Sequence, residues 1–228
     1  TSFLLAAILF LASILRLWNL SSNPPGLTWD EAALGYNSYS ILKTGKDEYG
    51  TFLPMNLKSF GDYKPALYAY LDIPFVAILG LNELAVRLPA AIFGILSVLL
   101  VYFLALKLFG ERTPAILAAF FMAISPLSIQ FTRAAYEVGV ALFLNILGIY
   151  LFIRGLENKK MLILSVVCFG LSLLTYQASR IFIPLLILST LYIFREKIMI
   201  KKNLIIPLSI LIFFVGLLFI TLIQGQTA

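Results

Sequence analysis

Apolar residues dominate eight stretches of the chain, roughly 2–18, 65–81, 88–109, 113–131, 137–153, 160–176, 180–194 and 203–223. A helix that crosses a bilayer needs about 20 predominantly apolar residues, because the hydrocarbon core is about 30 Å thick. Such a helix also satisfies its own backbone hydrogen bonds, which lipid cannot do. The pattern predicts an all-α integral membrane protein. One long polar segment interrupts it between residues 18 and 65, punctuated by Pro24, Pro25, Gly26, Gly45, Gly50 and Gly61.

Charge decides how many of the eight stretches cross. The loops around 107–112, 154–160 and 195–202 hold nine of the 17 basic residues against three acids. Two stretches separate each of these loops from the next, so they share a side, and an excess of Lys and Arg marks that side as cytoplasmic. If all eight cross, segment 19–64 also lies inside. If 65–81 does not, 19–87 becomes one external loop. The second option is favoured, because 65–81 carries Asp72 and Pro74 near its centre. A charge at mid-bilayer costs about 2.5–3.5 kcal/mol even on lenient scales. The expected fold is seven transmembrane helices (about 2–18, 88–109, 113–131, 137–153, 160–176, 180–194 and 203–223), with a long first external loop carrying two non-spanning, membrane-parallel helices.

Composition narrows the function classes. Of 228 residues 61% are apolar and 12% charged, and the mean hydropathy is +0.98. A soluble domain is about a quarter charged. The net charge of +6 sits in short loops, so it reports orientation in the membrane and not a nucleic-acid partner. With one cysteine, Cys168, and no histidine, a Cys/His zinc site, a Cys–His nucleophile and a Ser-His-Asp triad are excluded. The first apolar run has fifteen residues before Arg16, and the chain begins at Thr1. Residues 1–228 therefore read as a piece of a longer protein, lacking its native N-terminus and a C-terminal part.

The external loop holds the candidate chemistry. Thr28 followed by Glu31 fits a capping box for a helix that runs to about Lys43 and stops at Gly45. Asp30 and Glu31 fall in its first turn. They either complement the helix dipole, or Asp30 serves as a general base or metal ligand at the membrane surface. Further on, Pro65 suits a first helical position. That puts Lys64 just outside a helix N-terminus, where an ammonium and free N–H groups bind phosphate; otherwise Lys64 snorkels to lipid headgroups. Tyr63, Tyr68 and Tyr70 suit interfacial anchoring.

Two short loops on the same side add Arg133, Tyr136, Glu137, Tyr176, Gln177 and Arg180. Arg133 and Glu137 stand four apart and could form a local ion pair. By parity these groups converge with Asp30, Glu31 and Lys64 at one external pocket.

These residues resemble the membrane-embedded glycosyltransferases of the C-type superfamily. The branch most resembled contains the dolichyl-phosphate-mannose–protein mannosyltransferases and the bacterial lipid A aminoarabinose transferase. The carriers are Trp29-Asp30-Glu31-Ala32, Lys64-Pro65-Ala66-Leu67-Tyr68, the Arg87-to-Gly94 stretch Arg-Leu-Pro-Ala-Ala-Ile-Phe-Gly, Leu108-Phe109-Gly110, and Ser125-Pro126 followed by Arg133-Ala134-Ala135-Tyr136-Glu137. The resemblance implies a seven-span module whose first external loop carries two membrane-parallel helices. It implies a polyprenyl-phosphate-linked sugar as donor and a hydroxyl on protein, lipid or glycan as acceptor.

By the same resemblance Asp30 is the acidic residue after the first span, with Glu31 beside it. Lys64 holds the donor phosphate, and Glu137 takes the place of a second carboxylate that is commonly Asp. The eukaryotic type often has His-Pro where this chain has Lys64-Pro65, which leaves the donor open.

The expected mechanism is an inverting transfer. Asp30 acts as general base, Glu31 and Glu137 support it, and Lys64, Arg133 and Arg180 bind the donor phosphate. Tyr63, Tyr136, Tyr176 and Gln177 line the pocket. No cofactor is required; a divalent metal, Mg or Mn, could bridge Asp30 and Glu137. The site is expected on the external face of a plasma or inner membrane, with membrane lipids as partners. The competing reading is a transporter or flippase of a lipid-linked or anionic solute. Against it, the charges gather on one face and no inverted repeat is evident.

Overall fold

The long polar segment folds into one helix and a hairpin, and a second short helix follows from the apolar stretch after it; both helices pack against the fourth helix of the chain. The structure is a computed structural model that describes residues 2–59 and 61–195, together with 212, 215 and 216. In chain order the elements are α1 (Ser2–Leu17), α2 (Trp29–Thr44), β1 (Asn56–Ser59), β2 (Asp62–Pro65), α3 (Leu67–Leu79), α4 (Glu83–Phe109), α5 (Arg112–Ile124), α6 (Pro126–Arg133), α7 (Glu137–Gly155), α8 (Lys159–Leu173) and α9 (Ser179–Ile193). The span expected over 203–223 lies, apart from three positions, outside the described residues.

Among the described residues, α4 and α7 are long and apolar enough to cross a membrane, at 27 and 19 residues. The stretch 113–131 is not one straight helix. It is the pair α5 and α6, bent by 54°. Pro126 opens α6, and Ser125 caps it by accepting from the N–H of Ser128. A proline start with a serine cap restarts a helix, so an apolar run that looks continuous breaks there. The α1, α3, α8 and α9 helices have 13 to 16 residues each. Seven full-length spans are therefore not what the described residues present.

The polar segment follows its local signals closely. Thr28 accepts from the N–H of Glu31, the Glu31 carboxylate accepts from the N–H of Thr28, and Gly45 ends α2 in the left-handed region at φ 72°. The stretch before α3 differs from expectation. Lys64 and Pro65 belong to β2, which pairs antiparallel with β1 in the register Leu57↔Lys64. The α3 helix begins at Leu67, so Lys64 is carried on a hairpin and not on a helix end.

The α4 helix organises the packing. One core joins Leu34 and Ile41 of α2, Leu57 of β1, Tyr68 and Ala69 of α3, Val86 and Ala90 of α4, and Val140 of α7. A second joins Ile8 and Ala12 of α1 to Val98, Tyr102 and Ala105 of α4 and to Ala115, Ala119 and Ala123 of α5. The three alanines recur every fourth residue and form one face. On α4, a Cβ at Gly94 would lie 2.7 Å from Thr132 Cβ, so only glycine lets α4 and α6 approach this closely. Phe3, Phe10, Phe121, Ile181 and Leu188 point outward, as suits side chains whose solvent is lipid.

Three arginines tie backbone carbonyls together. Arg16 is fully buried. It donates to the carbonyls of Ala123 (3.0 Å) and Met122 (3.2 Å) and to Ser128 Oγ (2.9 Å). The end of a helix leaves carbonyls without intrahelical donors, and Arg16 supplies them at the α5–α6 break. Arg133 donates to the carbonyls of Leu15, Trp18 and Asn23 at 2.9, 2.9 and 2.7 Å. Arg87 does the same for Leu20, Pro24 and Gly26. Between them, Arg87 and Arg133 hold the irregular turn from α1 to α2.

Asp72, on α3, is fully buried, and among the described residues neither carboxyl oxygen has a hydrogen-bond partner of normal geometry. Burial raises its pKa to about 7, against a smaller opposing pull from the Ser38 hydroxyl. The folded protein therefore keeps a proton that an unfolded aspartate, near 3.8, would release. Stability from this group falls as pH rises from about 4 to about 7 and is level above that. Asp72→Asn is expected to remove this slope and to melt at a higher temperature than the parent at pH 8, compared by thermal unfolding in detergent at pH 5 and pH 8.

Candidate active site

Three elements distant in sequence bring carboxylates and an ammonium to one place. Asp30 sits in the first turn of α2, Lys64 on β2 and Glu137 in the first turn of α7. With Pro65, Tyr176, Gln177 and Ala178 they line a pocket of about 320 Å³. The Asp30 carboxylate and the Lys64 ammonium form an ion pair, with the Asp30 side chain 48% exposed and that of Lys64 16%. The pocket is thus open at the carboxylate and closer around the ammonium.

The wall opposite α2 is the turn between α8 and α9. Ser172 Oγ donates to Ser179 Oγ at 3.0 Å across this turn. Gln177 Nε2 donates to the carbonyl of Tyr63 at 2.6 Å, which joins the turn to the strand that carries Lys64. Tyr63 is thereby tied to the pocket wall through Gln177, although it is outside the lining itself.

Glu31 has a different place from its neighbour. It is fully buried and does not line the pocket. Its Oε1 accepts from Arg87 Nε at 2.7 Å and from the N–H of Ala135 at 3.1 Å. Its Oε2 accepts from the N–H of Thr28 at 2.9 Å and from Arg87 Nη2 at 3.3 Å. A carboxylate has about four acceptor positions, and these bonds occupy them. Burial alone would raise the Glu31 pKa; the hydrogen bonds from Arg87, Thr28 and Ala135 outweigh it, and the net direction is down. A charged, fully engaged carboxylate cannot take a proton from a substrate. Its position instead links α2, α4 and the α6–α7 turn, the elements that carry Asp30 and Glu137.

The other expected residues fall outside the pocket lining. The Arg133 guanidinium is committed to the three carbonyls of the α1–α2 turn. The helical spacing to Glu137 is lost, because α6 ends at Arg133 and α7 starts at Glu137. Tyr136 packs edge-on against Phe131, with ring centroids 5.7 Å apart. Arg180 lies in the first turn of α9, and its Nε has no hydrogen-bond partner among the described residues. Arg87 opens the Arg-Leu-Pro-Ala-Ala-Ile-Phe-Gly stretch, and the sequence alone assigns it no role. Its partner Glu31 lies 56 positions away, and an arginine near the start of an apolar run was the only available signal.

Among the described residues no group of three or more His, Cys, Asp or Glu could hold a metal ion. Asp30 and Glu137 are the two carboxylates of the pocket lining.

Solved structures share this architecture. ArnT from Cupriavidus metallidurans bound to undecaprenyl phosphate superposes with a TM-score of 0.71 at 14% identity, over 99% of this chain and 42% of that one. The apo oligosaccharyltransferase from Archaeoglobus fulgidus superposes with a TM-score of 0.65 at 17% identity, over 84% of this chain and 25% of that one. The chain spans less than half the length of either. No curated protein sequence matches it. At such identities the likeness is one of fold alone. The family model for dolichyl-phosphate-mannose-protein mannosyltransferase matches residues 63–222, a stretch that includes Lys64, Glu137 and Gln177. That match extends over more than half of the sequence, and the chain belongs to this family.

Proposed function

We propose that the protein transfers a sugar from a polyprenyl-phosphate donor to a hydroxyl acceptor at the external membrane face, with inversion at the anomeric carbon. The observation that carries this reading is the pocket where Asp30, Lys64 and Glu137 meet from three elements. The fold shared with a structure that holds undecaprenyl phosphate supports a lipid-phosphate donor.

In the proposed step the acceptor oxygen attacks the anomeric carbon while the bond from that carbon to the phosphate oxygen breaks. The acceptor proton passes to Asp30, and the polyprenyl phosphate leaves with the bonding electrons. Lys64 meets the charge that develops on the departing phosphate, as a preformed cation does most effectively. Arg180 is the second candidate cation, since part of its guanidinium is uncommitted among the described residues. Glu137 orients the acceptor. Direct attack with one base and no enzyme nucleophile inverts the configuration. Asp30 and Glu137 are the residues that would hold a divalent cation if one were bound, where it would add positive charge beside the phosphate.

The test is transfer or hydrolysis by the full-length protein in detergent, with a panel of polyprenyl-phosphate sugars. Turnover of one donor supports the reading and names the sugar. Binding without turnover, together with flux in sealed vesicles, would replace it with transport. The external placement has its own check. A cysteine introduced at Lys46 is expected to react with an impermeant maleimide from outside the cell, and reaction from the cytoplasmic side alone would reverse the topology.

A further inference from the structure

The two groups that the proposed transfer needs apart are held together in this structure. The Asp30 carboxylate is paired with the Lys64 ammonium. A carboxylate engaged by an ammonium is a poor proton acceptor, and an ammonium engaged by a carboxylate has less to offer a phosphate. Among the described residues Lys64 is also the one cationic residue in the pocket lining. The cation that an anionic donor meets in the lining is thus one already paired with Asp30.

The backbones on both sides are fixed. The Lys64 strand is paired with β1 at Leu57 and held by Gln177 through the carbonyl of Tyr63. The first turn of α2 is held by the Glu31 bonds to Arg87 and Ala135. Exchange is left to the side chains, and lysine has the flexible four-carbon stem.

Resting on the reading of this pocket as a polyprenyl-phosphate site, we infer that the Asp30–Lys64 pair is an interlock: the donor phosphate draws Lys64 off Asp30, and only then is Asp30 free to act as base. Donor binding thus precedes productive acceptor binding. Water or a stray hydroxyl meets a masked base while the donor is absent.

The experiment measures the affinity of a sugar-free polyprenyl phosphate for the full-length protein in detergent, in the parent, Asp30→Asn, Lys64→Met and the double variant. If the phosphate must displace Asp30, removing the carboxylate tightens binding, by about fivefold for a partly exposed pair. Lys64→Met weakens binding, and in that background Asp30→Asn changes nothing. Asp30→Ala behaves as Asp30→Asn does, and thermal melts confirm that each variant is folded. Unchanged or weaker binding in Asp30→Asn overturns the interlock. So does tightening that persists without Lys64, which would signal plain repulsion between carboxylate and phosphate. A parent protein that binds no polyprenyl phosphate overturns the functional reading itself, an outcome distinct from the other two.

Discussion

Asp30→Asn in the full-length protein is expected to lower kcat for sugar transfer by about 10²–10⁴-fold, the range that general-base assistance supplies. That range corresponds to about 3–5 kcal/mol of barrier. The fold should survive the change. Asp30 is about half exposed and its pair with Lys64 is partly solvated, and exposed pairs contribute at most about 1 kcal/mol to stability. The variant therefore separates chemistry from folding, with a near-parental melting temperature beside a lost rate. Asp30→Glu keeps the carboxylate but moves it by one methylene, and partial activity is expected. The measurement is initial-rate turnover of the donor identified by the panel. Parental turnover in Asp30→Asn would remove the base from the mechanism.

The second large effect belongs to a residue that does not line the pocket. Arg87→Met should destabilise the protein by about 3–5 kcal/mol, the usual result of leaving one member of a buried ion pair alone. Glu31 and Arg87 are both fully inaccessible to solvent, and the carbonyls of Leu20, Pro24 and Gly26 lose their donor in the same change. The total stability of a domain is about 5–15 kcal/mol, so the variant is expected to be close to unfolding at growth temperature. Neutralising the partner as well, in Glu31→Gln/Arg87→Met, should recover part of the loss.

The pair also carries a pH signature. The Glu31 pKa is lowered from 4.5, so its stabilisation is present above about 4.5 and is lost as pH falls through the lower folded value. In Arg87→Met the carboxyl loses its strongest partner and acid unfolding should begin at a higher pH. Detergent melts as a function of pH measure both effects.

The contrast between these two adjacent acids shows what can be read from sequence. Thr28, Glu31 and Gly45 announced α2 because caps act over three or four residues, and the structure uses those atoms. The long apolar run of α4 was equally plain. The pocket was legible by parity, since co-sided loops were expected to converge, and Asp30, Lys64, Glu137, Tyr176 and Gln177 do meet.

What stayed hidden was long-range or directed at the backbone. Both Asp30 and Glu31 are expected at the site from sequence, with Asp30 as the base; that Glu31 is instead engaged by an arginine 56 positions away has no local signal. Four-residue strands such as β1 and β2 are too short to establish an alternating pattern, so Pro65 signals a helix entrance where the structure has a hairpin. The bend at Ser125–Pro126 lies inside an apolar run, where hydropathy sees continuity. Arg133 looked like a phosphate ligand because a carbonyl leaves no trace in a sequence.

That last point bears on how such a fold tolerates change. Arg87 and Arg133 hold the turn from Leu15 to Gly26 by its main-chain oxygens, which every amino acid supplies alike. The shape of this passage is therefore specified from outside, by two side chains on other elements. Apart from the buried Leu20 and from Gly26, whose φ is 70°, its own letters are free to drift while its path stays the same. A saturation scan should find most positions from Trp18 to Gly26 permissive and the two distant arginines intolerant, an inverted map in which the constraint on a loop is inherited by residues that do not belong to it.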